Sequence, residues 1–558
     1  MANTASTRLG KKKARKQQAA VANKPAASAP SAAVSSDIPE RVWQISVIAI
    51  LLIAAVLRFY DLNLVPLHHD EGVNGNFLVK LVREGAYKYD PENYHGPTLY
   101  YFAALIPWVT RLLFGVAARD HYGLTTITIR FVPALFGLAT IGLVFLLRRR
   151  LGTVATLSAA LLLAVSPGAV YLSRYFIHET QFAFFTLGIV VAGLRFYDTR
   201  NPTWLVLASA SAALLFATKE TAMISMGVLL IAFGLTHIYR HFFGKALLQP
   251  SGKSRRYGAP ESAFRTFLEE FGRTNLLISA AIAIAVFLFL NILFYSSFFK
   301  NAQGITDALK TFQIWTKTGQ TAHVHPLLTY FLWLFRQESP LLLLGVIGAF
   351  VIVLKPKNTL ALFSALWAFG LIAAYSLIPY KTPWLVLNFI PPLALIAGYV
   401  IQQIWEFERP QFRIVAMVLF LAVGVSTFQS IDLNFINYDN DHTYYVYVYA
   451  HTRRGMLDLV RNIEQIAKER DGEQTGITIV SPDYWPLPWY LRDYKRTAYF
   501  AQMAPSTEPL IIAKDIQRAE MEANFGELYR QVPSNDSDGA FELRPGVRLL
   551  LYVRRNRL

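Results

Sequence analysis

Two imidazoles and two carboxylates stand side by side in the stretch HHDEG, at residues 68–72. The apolar run ISVIAILLIAAVL ends shortly before them, and charged side chains beside hydrocarbon are costly unless water, a partner or a function accounts for them. Adjacent carboxylates that are partly desolvated raise the pKa of one member, which suits a general base. Asp70 and Glu71 have a simpler alternative, which is to cap and charge-complement the start of a helix.

Three more short stretches carry residue types that do chemistry: YHGP (94–97), LSRYFIHET (172–180) and ATKET (217–221). In the first, His95 is suited to position an acceptor or a phosphate, and the next two residues, Gly96 and Pro97, allow close backbone approach and start a helix. The alternative is that HGP is only a helix-entry turn. In the second, Glu179 is a further acid, and His178 is either a metal ligand or, as is commoner for a single histidine, a capping or packing residue.

Cations gather near the predicted outer ends of apolar runs, where a phosphate would need Lys or Arg. Their default role is to extend the charged group toward lipid headgroups, and Lys219 could simply pair with its neighbour Glu220. The candidates for phosphate binding are Lys381 in PYKTPW, Arg174, Arg130, Lys219 and Arg336.

The elements that position these residues are membrane helices. The chain is 54% apolar, has no Cys and carries a formal charge of +17. Runs such as LISAAIAIAVFLFLNILF recur along it at close to the roughly 20 residues that a bilayer span requires. A polytopic membrane protein without disulfides or thiol chemistry follows. Residues 1–41, basic and rich in Ala and Ser, indicate a disordered cytoplasmic tail that contacts anionic lipid and not nucleic acid.

Twelve apolar segments are candidate spans, and charge distribution decides how many cross. If 98–115 crossed, the basic stretches at 148–150 and 240–273 would lie outside; if it lies flat, both lie inside, as the positive-inside rule favours. The sequence therefore predicts eleven spans, at 43–59, 127–147, 152–172, 180–198, 203–218, 221–239, 275–295, 340–354, 359–378, 384–404 and 411–431.

This topology gives a long first external loop, about 60–126, with two interfacial helices. One is DEGVNGNFLVKLVREG, whose apolar face comprises Phe77, Leu78, Leu81 and Val82; the other is 98–115. The segments 172–180, 217–221, 296–339 and 379–384 fall on the same side. The predicted organisation is a tail (1–41), a transmembrane domain (42–433) and a small external α/β domain (434–558). The α/β domain is predicted because helical and β-rich sequence segments alternate there.

The order of these motifs resembles the GT-C superfamily of glycosyltransferases. DE early in the first external loop, then YHGPTLYYFAALIPWVTRLLFG, then RFVPALFG (130–137) and RRRLG, are similar to the protein O-mannosyltransferase and aminoarabinose-transferase relatives. The pairing of DE with HGP, together with SRYFIHET, ATKET and YKTPW, resembles more closely the branch of flippase-activity-associated proteins.

The resemblance implies a function. Such enzymes move a sugar from a polyprenyl-phosphate carrier to a glycan, lipid or protein acceptor at the external membrane face, and here the transfer is expected to be inverting. Asp70 would be the general base and Glu71 its partner, with His95, Gly96, Pro97, His178 and Glu179 positioning donor or acceptor. A divalent metal held by Asp70, Glu71 and Glu179 stays open, because no motif requires one.

The remaining expectations concern the cellular location and the alternative functions. We expect a multi-pass plasma-membrane protein with a cytoplasmic N-terminus and an external C-terminal domain, working with membrane lipids and with possible partner proteins of a glycan assembly pathway. The alternative is a flippase-associated subunit of a polysaccharide export system without catalysis of its own. A transporter would be expected to show internal repeats and acids in mid-span, and neither is evident.

Overall fold

The computed structural model describes residues 38–85, 87–92, 95–247, 271–321, 323–408, 412–534 and 538–555. The predicted disordered tail lies outside these residues except for its last few positions, and so does most of the basic stretch 240–273. The description below concerns the described residues alone.

The membrane domain is a bundle of apolar helices. Within the described residues, seven helices are long and apolar enough to cross a bilayer: Glu40–Phe59, Thr126–Phe145, Glu179–Thr199, Ala222–Phe243, Thr274–Tyr295, Thr359–Leu377 and Arg413–Ile436. Two bent pairs meet the same test as broken spans, Thr153–Val165 with Pro167–Ser173 at 59° and Thr329–Gln337 with Ser339–Leu354 at 117°. The chain is therefore a multi-pass membrane protein.

Each of the eleven predicted spans coincides with a helix of this bundle. The two not yet named are Pro202–Phe216 and Ile390–Glu408, the former of which is a shorter apolar helix. That all eleven cross the bilayer stays a prediction. The segment 98–115 forms the helix Thr98–Phe114, 17 residues long with Pro107 inside it.

The two helix breaks contact each other. Pro167 lacks an N–H and starts a new helix after Ser166, which leaves polar groups inside the bundle. Glu338, the residue at the other break, is fully buried and accepts the Ser166 hydroxyl at 3.0 Å and the Gly168 N–H at 2.7 Å. The carboxylate at one helix break thus accepts hydrogen bonds from the hydroxyl and the backbone N–H at the other break.

The first loop folds as three helices, His69–Glu84, Thr98–Phe114 and Val116–Gly123. The first of these has the predicted apolar face, with Leu78, Leu81 and Val82 buried and Phe77 partly buried. That face packs within a core shared with the helix Thr98–Phe114 and with Trp489 of the C-terminal domain. It therefore contacts protein, although the periodicity alone indicated a membrane interface.

The other short helices complete the connections. They are Arg148–Leu151, Gln303–Thr321, the 3₁₀ turn Pro383–Asn388 and the π turn Asp432–Ile436, which extends the last long helix across the predicted domain boundary at 433/434.

The C-terminal domain is a small α/β unit, as predicted. Its strands are β1 Ile477–Ile479, β2 Thr497–Tyr499, β3 Leu510–Lys514, β4 Tyr529–Gln531, β5 Phe541–Arg544 and β6 Val547–Arg554. They form one sheet of order β2-β1-β3-β6-β4, with β5 pairing with β6. Strands β1, β2 and β3 are parallel and β6 runs antiparallel to β3. The helices of the domain are Gly455–Lys468, Leu487–Tyr490 and Arg518–Phe525, and its 3₁₀ turns are Gly472–Gln474 and Asp515–Gln517.

Candidate active site

The acidic motif lies in the first turn of the helix His69–Glu84, which we call the acidic helix. The Nδ1 atom of His68 accepts the N–H of Asp70 at 3.1 Å, and the carboxylate of Glu71 accepts the N–H of His68 at 3.0 Å. This reciprocal pair is a capping box with a histidine as the N-cap. The Asp70 carboxylate takes no part in the cap: its side chain is 39% exposed and lies 3.9 Å from His68.

Glu71 is fully buried and bound to Arg130, which is 2% exposed. Its two oxygens accept the Nε and Nη2 hydrogens of Arg130 at 2.7 and 2.5 Å. The remaining guanidinium hydrogens bind three carbonyl oxygens of the chain just before the acidic helix, those of Leu62, Val65 and Pro66. All five N–H groups of Arg130 are therefore used internally.

The segment 174–179, RYFIHE, joins four parts of the site. Arg174 binds the carbonyls that end the first helix, and the Phe176 N–H donates to Glu71 at 2.8 Å. His178 Nε2 contacts the Gly96 carbonyl at 3.0 Å, and Glu179 binds the ammonium of Lys219 at 2.5 Å. The acidic helix, the HGP turn and the loop 217–221 are thus all anchored to one stretch of chain.

The HGP turn pairs with the loop 217–221 through backbone. His95 forms a β-bridge with Lys219, and the Gly96 N–H donates to the Thr218 carbonyl at 2.9 Å. A Cβ at Gly96 would lie 2.0 Å from the carbonyl oxygen of Ala217, so this position accepts only glycine without displacing backbone. The predicted close backbone approach at Gly96 is present, and its partner is the protein chain.

A small pocket opens beside this turn. His95 Nδ1 lies 3.1 Å from the buried carboxylate of Glu220, and the side chain of His95 is 27% exposed. The pocket is lined by His95, Lys219, Glu220, Thr221, Trp315, Tyr375, Ile378, Tyr380 and Leu385. It combines a histidine–carboxylate pair, a buried ammonium and several aromatic rings, and its volume of ≈ 10 Å³ has room for about one water molecule.

Burial and neighbouring charges set the ionisation of this cluster. For Lys219, burial disfavours the ammonium, but attraction to Glu179 and then Glu220 outweighs it and raises the pKa of Lys219. For His178, burial lowers the pKa well below its usual value, and repulsion from His95 and Lys219 adds to this effect. Lys219 is therefore charged and His178 neutral near pH 7.

The other predicted phosphate ligands are not among the residues that line this pocket. Lys381 is 2% exposed, and its ammonium donates to the carbonyls of Ile378 at 2.6 Å and His325 at 3.2 Å. Arg174 donates to carbonyls at the end of the first helix, including that of Asp61 at 2.8 Å. Arg336 is exposed and donates to the Thr443 carbonyl at 2.8 Å. The structure gives these cations main-chain carbonyl partners.

The three carboxylates that the sequence leaves open as metal ligands, Asp70, Glu71 and Glu179, have other contacts in the structure. Glu71 binds Arg130 and Glu179 binds Lys219, so two of the three carboxylates already have cationic partners. Among the described residues, no cluster of three or more His, Asp or Glu side chains has metal-binding geometry. Asp70 remains with an exposed carboxylate and a neighbouring histidine.

The sequence did not predict the roles of several residues in this site. The sequence pairs Glu220 only with Lys219, yet it binds His95. The motif includes His68 without indicating that it is the N-cap, and Trp315 carries no signal beyond being an aromatic residue on an amphipathic helix. For Glu220 the sequence holds no local signal, because its partner His95 lies 125 residues away.

Residues 103–249 match the family model described as dolichyl-phosphate-mannose-protein mannosyltransferase (PMT_2). The crystal structure of ArnT from Cupriavidus metallidurans bound to undecaprenyl phosphate is similar with a TM-score of 0.62 at 14% identity, over 92% of this chain and 98% of that one. The chain has a GT-C fold.

A second GT-C structure agrees. The archaeal oligosaccharyltransferase AglB from Archaeoglobus fulgidus, solved with an inhibitory peptide and a dolichol-phosphate, is similar with a TM-score of 0.54 at 12% identity, over 90% of this chain and 74% of that one. A search of curated proteins finds no match. The predicted resemblance to the GT-C superfamily and its PMT type is confirmed, and the narrower likeness to flippase-associated proteins stays a prediction.

Proposed function

We propose that this GT-C protein is an inverting glycosyltransferase, which moves a sugar from a polyprenyl-phosphate donor to an acceptor hydroxyl at the external face of the plasma membrane. The GT-C fold, the family-model match and the ArnT structure containing undecaprenyl phosphate support the donor class. In this orientation the N-terminus is cytoplasmic and the C-terminal domain is external.

Asp70 is the general base in this scheme. The acceptor oxygen attacks the anomeric carbon as its proton passes to the Asp70 carboxylate, and the bond between that carbon and the phosphate oxygen breaks. Polyprenyl phosphate leaves with the bonding electron pair, and a single displacement inverts the anomeric configuration. General bases contribute about 10²–10⁴-fold to such rates.

The exposed carboxylate of Asp70 on an otherwise fixed helix turn is the observation that carries this proposal. Two residues close to it are bound: His68 caps the helix, and Glu71 is held by Arg130. The side chain of Asp70 is 39% exposed, so an acceptor has access to its carboxylate. A turn that is fixed around one exposed acid is suited to holding that acid in a reactive position.

The pocket beside the HGP turn is our candidate for the donor phosphate. Lys219 lines it with an ammonium that is bound to Glu179, and His95 supplies a polar group on the pocket wall, while Trp315 and Tyr380 offer aromatic surface. Arg130, Arg174 and Lys381 do not line this pocket, so they are better described as positioning residues, which hold the chain by their own hydrogen bonds. This revises their predicted role as phosphate ligands.

The decisive experiment compares Asp70→Asn with the wild-type protein in proteoliposomes. Radiolabelled polyprenyl-phosphate mannose is supplied first, then the glucose and aminoarabinose analogues, and sugar release is followed. We expect Asp70→Asn to lose about 10²–10⁴-fold in turnover while binding undecaprenyl phosphate as the wild type does, because the side chain lies outside the cap.

Two outcomes contradict the proposal. Equal turnover by Asp70→Asn and wild type removes Asp70 as the base. Absence of sugar release from every donor by a folded wild-type protein, with movement of labelled lipid between leaflets, favours the flippase-associated alternative.

A further inference from the structure

The C-terminal domain packs directly onto the acidic helix at two glycines. A Cβ at Gly72 would lie 2.5 Å from the Cβ of Pro486, and a Cβ at Gly75 would lie 2.6 Å from Cε3 of Trp489. Both distances are well below the 3.5–4.0 Å of an ordinary carbon contact. The two glycines therefore form a flat surface that a short helix of the other domain, Leu487–Tyr490, and the residue before it occupy.

This contact is buried and not a loose surface touch. Trp489 is 2% exposed and belongs to the same hydrophobic core as Leu78, Leu81 and Tyr100 of the membrane domain. An indole of one domain is thus part of the core of the other. Buried aromatic side chains of this kind carry a large share of the energy of an interface.

Polar contacts surround the indole. The Leu67 N–H, just before the acidic motif, donates to the Tyr490 hydroxyl at 3.0 Å. Farther along, Arg83 donates to the carbonyl of Arg492 at 2.8 Å, and Arg492 donates to that of Leu124 at 2.9 Å. The C-terminal domain therefore binds the chain before the acidic helix, its middle and its end.

We propose that residues 485–490 of the C-terminal domain are a positioning element for Asp70, an inference that rests on Asp70 being the base. Asp70 lies in the first turn, two residues before Gly72. Separating the Gly75 backbone from the Trp489 ring to an ordinary contact distance requires a shift of about 1 Å, and a displacement of that size can cost about 10²-fold in rate. The domain thus takes part in catalysis without touching substrate.

The test is Gly75→Ala, alone and combined with Trp489→Phe, which removes Cε3 and Cζ3, the two ring atoms nearest to the new methyl group. We expect Gly75→Ala to lower kcat by about 10- to 100-fold, with the KM for the donor within about threefold of wild type. The double variant should regain at least tenfold of the lost kcat. A substitution that merely loosened the fold would not be rescued by shrinking its partner.

Matched controls separate position from folding. Gly193→Ala also adds a methyl group to a glycine within a helix, but nothing lies within 4 Å of it, so turnover should be unchanged. Hydrogen exchange of the amides in 69–76 should rise in Gly75→Ala and return in the double variant, and this readout does not depend on activity. If Gly75→Ala does not fold, Tyr490→Phe tests the same contact by removing the acceptor of the Leu67 N–H, with an expected loss of several-fold in kcat.

The outcomes are distinct for the two proposals. Wild-type kcat and exchange in Gly75→Ala, or in Tyr490→Phe where the former does not fold, overturns the positioning role even when Asp70→Asn is inactive. Lack of rescue by Trp489→Phe in a folded Gly75→Ala protein also overturns it. An active Asp70→Asn instead removes the base, and with it the proposed function.

Discussion

The buried pair of Glu71 and Arg130 should respond sharply to a change of one atom. In Glu71→Gln, one carboxylate oxygen becomes an NH₂ group that can donate but not accept. Glu71 accepts four N–H groups, two at each oxygen: those of Arg130 Nε and Phe176 at Oε1, and those of Arg130 Nη2 and His68 at Oε2. Whichever oxygen is replaced, two buried donors lose their acceptor.

The expected cost follows from that count. A buried donor without a partner costs about 1–3 kcal/mol, which gives about 2–6 kcal/mol for two. Removing one member of a buried ion pair costs about 3–5 kcal/mol by a separate line of reasoning. We therefore expect Glu71→Gln to lower the free energy of unfolding by about 3–5 kcal/mol.

The assay is unfolding in mixed micelles followed by tryptophan fluorescence, with an exposed ion pair of the same chain as the control. Lys310 lies 2.9 Å from Asp307 on the helix Gln303–Thr321, and its side chain is 56% exposed. Lys310→Met should leave unfolding almost unchanged, because exposed pairs contribute little. A loss below about 1 kcal/mol in Glu71→Gln would refute the view that Glu71 and Arg130 fix the motif.

Three further variants probe the remaining site. Arg174→Met should lower the free energy of unfolding by about 1.5–3 kcal/mol, the range for hydrogen bonds to a charged group, while the KM for the donor stays unchanged; a KM increase with normal stability would instead make Arg174 a phosphate ligand. Gly96→Ala should cost about 1–3 kcal/mol in thermal unfolding because its methyl group meets the carbonyl of Ala217, whereas Gly142→Ala, with nothing within 4 Å, should not destabilise. Because burial lowers the pKa of His178, stability should be full above about pH 6.5 and fall as the unfolded chain takes up a proton below it, by up to about 1.4 kcal/mol per pH unit, and a folded His178→Asn variant should show a smaller slope.

Much of the fold was predictable because its signals are local. A run of about 20 apolar residues is visible without knowing any neighbour, and each predicted span from 43–59 to 411–431 has a helix. The α/β character of the C-terminal domain was equally predictable, because helical and β-rich sequence segments alternate there. The bends at Ser166 and Glu338 were harder to predict from the sequence. The polar groups at the first bend are hydrogen-bonded by the buried carboxylate of Glu338, which lies 172 residues away in the chain.

The pairing of charges was not predictable from the sequence. Lys219 and Glu220 are neighbours in the chain, but each pairs with a residue that is distant in sequence. Lys219 binds Glu179, 40 residues earlier, and Glu220 binds His95, 125 residues earlier. Arg130 was assigned to phosphate for the same reason, since its partner Glu71 is 59 residues away.

The prediction that the helix Thr98–Phe114 does not cross the bilayer can be compared with the contacts at its two ends. At its start, the Thr98 N–H donates to the carbonyl of Ala217, in the predicted external loop 217–221. After its end, Arg119 donates to the carbonyl of Val82 at 3.1 Å, and Leu124 binds Arg492 of the C-terminal domain. Both ends therefore contact elements assigned to one side of the membrane.

The length of this helix does not decide whether it crosses, because its 17 residues are more than the 15 of Pro202–Phe216, which coincides with a predicted span. Cysteine labelling can decide it. The chain has no Cys, so single cysteines report cleanly. Tyr122→Cys, at a position 62% exposed beyond this helix, should react with an impermeant maleimide from the same side as Ile516→Cys, 77% exposed in the C-terminal domain. Labelling of the two from opposite sides would mean that the helix crosses, and the contacts of Arg119 and Leu124 could not then exist in the membrane.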